Sequence, residues 1–238
     1  LGAGEAAAKM KVSVIIPAHN EEKFLPEALR AILGSDYPDF EVIVVDNASS
    51  DGTYEAAVSM GVKVVKEPNR GTQHARERGR AEASGEIIAN MDADCVPGRD
   101  WLKRGAGHFK NPEIAALTGP ADYYDGSGIF RFVSFYFQKI FYRLINSILN
   151  AFHGGGVLLA GNCFIRKSSL DKIGGYDTSI FFYGDDTDTA KRLSRIGRIA
   201  YDPKLTIKTS ARRFKSQGIV KTEALYVYHF LKTLLWDK

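Results

Sequence analysis

From Lys11 onward, short β-branched apolar runs alternate with segments whose apolar residues recur every three or four positions. Residues 12–16, 41–45, 62–65 and 86–91 are apolar at most positions, as in parallel strands covered by helices on both faces. Between the first two runs, Phe24, Leu25, Ala28, Leu29, Ile32 and Leu33 mark one face of a helix that Gly34 can close. Ser50, Asp51, Gly52 and Thr53 signal the start of a second helix, and a third is expected after Gly71, running to Ser84 and ended by Gly85. The order βαβαβ gathers the C-terminal ends of the strands along one sheet edge, where ligands of open α/β sheets bind.

Polar clusters stand at three of those ends. The first strand leads into Pro17, Ala18, His19, Asn20, Glu21 and Glu22, the second into Asp46, Asn47 and a stretch reaching Thr53, and the fourth into Asp92, Ala93 and Asp94. Two acidic residues two apart are common in solvated loops. Here the pair directly follows an apolar strand, and aspartates so close together repel unless a cation or hydrogen-bond donors offset their charge. Their hard oxygen ligands suit Mg²⁺ or Mn²⁺, which needs only one or two protein carboxylates when substrate phosphates and waters supply the rest; a diphosphate is the matching partner. Farther on, Gly184, Asp185, Asp186, Thr187 and Asp188 open a helix with Ala190, Leu193 and Ile196 on its apolar face and Gly197 at its end. Aspartates in a first turn cap a helix and complement its dipole without any chemistry. A carboxylate near the cation site can equally serve as general base for an acceptor hydroxyl, and the two roles can coexist.

Composition narrows the class. With 238 residues, 45% hydrophobic and 25% charged, the chain is long enough for one catalytic domain with a decorated C-terminal part, and disorder is excluded. Cys95 and Cys163 have no ligand-like spacing, so neither a zinc site nor a disulfide framework is expected, and a reducing, cytoplasmic setting fits. The net charge of +4 makes no case for nucleic acid, but the basic residues crowd the end from Lys204 to Lys238, which could face phosphates or an anionic membrane. Residues 1–9, with EAAAK, read as a helical linker ahead of Met10, and no uncharged stretch of about 18 apolar residues occurs.

Taken in order, PAHNEE (17–22), VDNASSDGT (45–53), NRG, ARERG and ASGE (within 69–86), DAD (92–94), GGYD (174–177) and GDDTD (184–188) resemble a family 2 glycosyltransferase of the GT-A fold over about residues 12–213. The resemblance implies an α/β fold of GT-A type: a Rossmann-like, mixed but mostly parallel sheet flanked by helices, with amphipathic helical additions. Residues 10–213 would form the catalytic domain, its nucleotide-binding half at 10–120 and its acceptor half at 121–213, followed by a helical tail at 214–238. The implied activity is inverting, metal-dependent transfer of a sugar from a nucleotide diphosphate donor to an acceptor hydroxyl or phosphate. A UDP-sugar is the first choice, a GDP- or dTDP-sugar the alternative, and the acceptor is a glycan or lipid-linked. By the same resemblance Pro17, His19 and Glu21 line the nucleotide pocket, with Asp46 and Asn47 near base and ribose. Asp92 and Ala93 approach the ribose or metal, Asp94 ligates Mn²⁺ or Mg²⁺, Asp186 is the general base, and Asp185 or Asp188 holds acceptor groups. Asn47 stands where several relatives carry a second aspartate, and Asp185 replaces a commoner glutamate. The processive signature QxxRW is absent, since Gln217 is followed by Gly218, Ile219 and Val220, so a single transfer per acceptor is expected.

Leaving-group charge calls for guanidinium forks as well as a cation, and Arg76, Arg212 and Arg213 are the candidates. Arg76 shares its helix with Arg78 and Arg80, so a solvated basic face is an equal explanation, whereas a loop at 209–214 would by resemblance close over the diphosphate. Asn162, inside AGNC, either meets the donor sugar or acceptor or is a satisfied turn amide.

Residues 129–152 hold eight aromatic side chains, from Phe130 to Phe152, and no acid; Arg131, Gln138, Lys139, Arg143, Asn146 and Asn150 cluster on one side of the helical wheel. Such a helix either lies in a membrane interface, basic face toward lipid phosphates, or packs on the domain or across a dimer. The tail at 219–236, with Tyr226, Phe230, Leu231, Leu234 and Trp236, repeats the theme, and the protein is expected to be peripheral on the inner face of the membrane. A nucleotidyltransferase would show a Gly-rich loop after the first strand, which PAHNEE is not. A noncatalytic sugar-binding module would have no need of GDDTD, and an NAD-linked oxidoreductase would need GxGxxG after the first strand.

Overall fold

Alternation along β1 (Val12–Ala18) sets the layers: Val12, Val14 and Ile16 pack on one side of the sheet and Ile15 on the other. The computed structural model describes residues 10–151, 155–180 and 183–235; the expected linker at 1–9 and the aromatic residues Phe152 and Trp236 lie outside the described residues. Next comes α1 (Leu25–Leu33), which has a proline in its first turn, buries Leu25, Ala28, Leu29 and Ile32, and is closed by the Gly34 N–H on the carbonyl of Arg30. β2 (Phe40–Asp46) pairs with β1 in parallel from Val12 opposite Phe40 to Ala18 opposite Asp46, so both strands end level. α2 (Thr53–Ser59), β3 (Lys63–Lys66), α3 (Thr72–Glu82) and β4 (Ile87–Met91) follow where the sequence pattern puts them. α3 stops two residues before Ser84 because Ala83 turns to extended backbone.

The second half has weaker local patterning. It comprises β5 (Val96–Pro97), α4 (Trp101–His108), β6 (Ile114–Thr118), β7 (Ala121–Tyr123), α5 (Gly128–Phe137) running through a π-helical turn at Gln138–Tyr142 into α6 (Arg143–Ala151), β8 (Asn162–Arg166), α7 (Lys167–Lys172), α8 (Asp185–Ser194), β9 (Arg198–Tyr201), β10 (Ile207–Thr209), α9 (Arg212–Gln217) and α10 (Ile219–Leu235). The main sheet has the order β3-β2-β1-β4-β8-β6-β9, with β8 antiparallel to both neighbours and the other pairs parallel. A small sheet, β5-β10-β7, lies beside it and leads the chain from β10 into α9. This is the mixed, mostly parallel sheet that the resemblance implied.

Close packing of α3 on β1 depends on Gly79: a Cβ there would lie 2.4 Å from Ile15 Cγ2. Gly79→Ala should therefore overpack the interface and cost about 1–3 kcal/mol, read as a lower urea midpoint with unchanged slope.

The amphipathic segment expected at 129–152 is helical from Gly128 to Ala151 and is bonded to the domain. Its polar side faces the protein: the Gln138 side chain accepts from Ala121 N at 2.9 Å and donates to Ala121 O at 3.1 Å. Asn146 donates to Ile199 O at 2.9 Å and accepts from Val157 N, while Asn150 brackets Ile199 through both its N–H and its carbonyl. These amides saturate backbone groups at β7 and β9, so the apolar side is left outward. Of the basic residues, Arg131 pairs with Asp122, Lys139 lies over the Phe135 ring, and Arg143 is exposed.

Candidate active site

Level strand ends bring the loop after β1 against the loop after β2, and most of their polar residues hold one another. Asn20 Oδ1 accepts from Ser50 N at 2.8 Å, Glu21 N donates to Thr53 Oγ1 at 2.7 Å, and Glu22 accepts from Gly52 N at 2.9 Å. Asn20 and Ala48 have left-handed backbone, at φ 56° each, and Tyr183 beside the GDDTD turn has φ 60°. Such conformations persist where the surroundings over-determine them, as at binding loops. His19 Nδ1 donates to the Asn47 carbonyl at 2.8 Å, which leaves Nε2 to accept from Arg70 Nη2 at 2.6 Å. Pro17 lies within β1, opposite Val45.

Asp46 and Asn47, adjacent and both buried, do different things. Asn47 donates to the carbonyls of Glu67 and Asn69, at 3.1 and 2.7 Å, and accepts from Gly71 N at 2.8 Å, so its amide is spent on the loop ahead of α3. Asp46 Oδ1 is buried with no hydrogen-bond partner among the described residues, which leaves it available to a ligand donor. Asn47→Asp would turn a carboxylate toward two carbonyl oxygens and should cost about 1–3 kcal/mol, seen as a lower melting temperature in the absence of nucleotide.

Asp92, Ala93 and Asp94 follow β4 directly. Asp94 is buried; its Oδ1 accepts from Thr209 Oγ1 at 3.2 Å, and its Oδ2 lies 3.0 Å from Arg212 Nε. Burial and the neighbouring Asp92 charge push the Asp94 carboxyl up to about 6, against the pull of Arg212. Arg212 also forks onto Glu21 and lies over the Phe24 ring, so the start of α9 is tied to the loop after β1 as well as to Asp94. The donor set fits Mg²⁺ or Mn²⁺: Asp94 is a buried carboxylate already faced by a positive group, and Asp92 stands beside it half exposed. Among the described residues no group of three or more His, Cys, Asp or Glu is placed to hold a metal ion.

Arg76 does not lie on a solvated basic face. Its guanidinium is buried, 3.0 Å from Asp185 Oδ2, 3.4 Å from Asp92 Oδ1 and 3.7 Å from Asp186 Oδ1. One cation thus ties the loop after β4 to the N-terminus of α8. Asp186 accepts from Ala160 N at 3.0 Å and keeps 32% of its side-chain surface open, although its carboxyl lies deep in the cleft wall. Burial raises its pKa well above the ordinary range, helped by Asp185 and opposed by Arg76.

Asp185 is paired with Arg76, and Asp188 with Arg192 at 2.8 Å, whose guanidinium also caps the carbonyls of Ile173 and Gly175. Asn162 is the satisfied amide: fully buried, it accepts from Trp101 Nε1 at 2.8 Å and donates to the carbonyls of Pro120 and Leu205. Arg213 bonds to the Tyr226 hydroxyl of α10, 2.5 Å away, and also feels the charge of Asp92. Arg70 was expected only as part of the NRG run and Thr209 only as the start of the loop at 209–214; the approach of one to His19 and the bond of the other to Asp94 give them their places.

An open α/β sheet with carboxylate-bearing loops gathered at the strand ends is the architecture of a nucleotide-binding domain. The model of Glycosyl transferase family 2 matches residues 13–174, and the chain belongs to that family. It is 28% identical over 185 residues to the glycosyltransferase AglE of Haloferax volcanii, covering 73% of this chain and 58% of that protein. It is 30% identical over 209 residues to the probable glycosyltransferase YdaM of Bacillus subtilis, covering 79% and 47%. The chain thus spans about half the length of these curated relatives. In fold it resembles the mannosyltransferase PcManGT from Pyrobaculum calidifontis in complex with GDP-Man and Mn²⁺, with TM-score 0.77, 24% identity and coverage of 98% of this chain and 66% of that one. It also resembles glucosyl-3-phosphoglycerate synthase from Mycobacterium tuberculosis in complex with Mn²⁺, UDP-glucose and phosphoglyceric acid, with TM-score 0.67, 20% identity and coverage of 97% and 82%.

Proposed function

We propose that the chain is the catalytic part of a non-processive, inverting glycosyltransferase that uses a nucleotide diphosphate sugar and a divalent cation. The observation that carries this reading is the Arg76 network, which joins the aspartate after β4 to the two aspartates that open α8. Donor-side and acceptor-side carboxylates thereby share one cleft although 93 positions separate Asp92 from Asp185. In the Pyrobaculum and Mycobacterium proteins, Mn²⁺ accompanies GDP-Man and UDP-glucose, which supports the same donor class here.

Asp94, with Asp92, would hold the cation, which when bound neutralises charge developing on the diphosphate. Asp186 takes the proton from the acceptor hydroxyl as its oxygen bonds to the anomeric carbon, and the bond from that carbon to the diphosphate breaks with its electron pair going to the phosphate oxygen. A phosphate acceptor that is already ionised needs no such base. Asp46 is poised to accept a ring N–H, which uracil, thymine and guanine offer and cytosine does not, so a UDP-sugar remains the first choice with dTDP- or GDP-sugars as alternatives. Calorimetry with UDP, GDP, dTDP and CDP, with and without Mn²⁺, tests this. One lactam base should bind in a cation-dependent way and CDP at least about tenfold more weakly. Equal binding of all four, or none, would remove the assignment.

A further inference from the structure

A helix normally turns its apolar side inward. The helix at 128–151 does the reverse, and buried amides at Gln138 and Asn146 lock it that way through bonds to the β7 and β9 backbone. Phe132, Tyr136, Phe137, Phe141 and Leu144 are left exposed. Beside it, α10 presents Val220, Ala224, Val227, Leu231 and Leu235 outward, at spacings of four, three, four and four, again one apolar stripe in solvent. The two helices are joined through one aromatic cluster: the Phe130 ring of α5 lies tilted against Phe214 of α9, which in turn packs against Tyr226 of α10. The two stripes thus border one aromatic cluster and are taken together as one face.

That face abuts the cleft. α10 lies over the turn that opens α8, where a Cβ on Gly184 would meet Thr233 Oγ1 at 2.6 Å, and the aromatic cluster holds α9, whose first residue is Arg212. Charge selects the occupant. From Gly126 to Ala151 the chain carries no acid, and of its cations Arg143 is exposed, Lys139 half-buried over the Phe135 ring and Arg131 spent on Asp122; on α10, Lys221 and Lys232 are exposed and Glu223 is half-buried. A second copy meeting this face would crowd these cations against their own counterparts, whereas an anionic lipid surface offers them phosphates and offers the rings an acyl boundary. No helix among the described residues is long and apolar enough to cross a membrane, so the contact is one of lying on it.

We propose that the joint outer face of α5, α6 and α10 seats the protein on an anionic lipid bilayer, and that the acceptor is presented to the cleft from that surface. The identity of the acceptor rests on the transferase reading; the docking itself does not. Co-sedimentation with phosphatidylcholine vesicles, with and without phosphatidylglycerol, tests it on the wild type and on Phe137→Glu with Leu231→Glu. Both sites are exposed, and melting curves with nucleotide calorimetry check that each protein is folded and its donor site intact. The wild type should pellet with the anionic vesicles and the double variant should partition about tenfold or more weakly at unchanged nucleotide affinity. Absence of vesicle binding by the wild type, or equal binding by the variant, overturns the proposal. So does a wild-type dimer in sedimentation velocity that the same substitutions dissociate without any vesicle binding, since a second copy would then cover the face. Failure of nucleotide binding with vesicle binding retained would strike the transferase reading alone.

Discussion

Asp186→Asn should lower kcat by about 10²–10⁴-fold, the usual worth of a positioned general base. The amide is isosteric and can still meet Ala160 N through its carbonyl, so cleft geometry should survive. Nucleotide affinity should stay within about a factor of two, since the lost interaction is made in the transition state alone. In the wild type the rate should fall on the acid side as Asp186 is protonated. Because burial and Asp185 raise that pKa, the acid limb should lie above the ordinary carboxylate value of about 4, with activity gained as pH rises through it. A kcat within about threefold of wild type in a pre-steady-state transfer assay would remove Asp186 from the mechanism.

Asp94→Ala should lose transfer activity by on the order of 10³-fold and, unlike the first variant, should also abolish the Mn²⁺-dependent part of nucleotide diphosphate binding. The change takes away the carboxylate that faces Arg212 Nε, so Arg212 would keep its fork on Glu21 and its place over the Phe24 ring. In the wild type, cation-dependent affinity should weaken as pH falls through about 6, where the buried carboxyl takes up a proton. Calorimetry at several pH values reads both effects, and full cation dependence in the alanine variant would place the metal elsewhere.

The first half of the fold could be read from the chain because each signal is local. The run before Asp46 buries alternate residues on the two faces of the sheet, and the helix ending at Gly34 shows its spacing and its stop within a dozen residues. The strands from β5 onward are short, and β8 pairs antiparallel with partners far away in sequence, so no local period announces them. Site chemistry divides in the same way. Asp46, Asp94 and Asp186 could be picked out because a carboxylate directly after an apolar strand, or at the first turn of a helix, is conspicuous in the sequence. Roles that depend on a distant partner could not: Arg76 shares a basic helix with Arg78 and Arg80, yet Arg76 alone turns inward to the cleft, while its neighbours pair with Glu82 and with Glu77 and Asp171.

By itself, then, the sequence determined the alternating elements, the family-bearing motifs and the carboxylates at the strand ends, since these follow from spacing within a few residues. Tertiary structure alone decided which groups those carboxylates answer to: Arg212 folds back from residue 212 onto Asp94, and Asn162 disappears into the core. It also decided which side of an amphipathic helix faces water. A helical wheel shows two faces but not which is inner; that choice fell to Gln138 and Asn146, whose amides found unpaired backbone at β7 and β9 and turned the aromatic side outward.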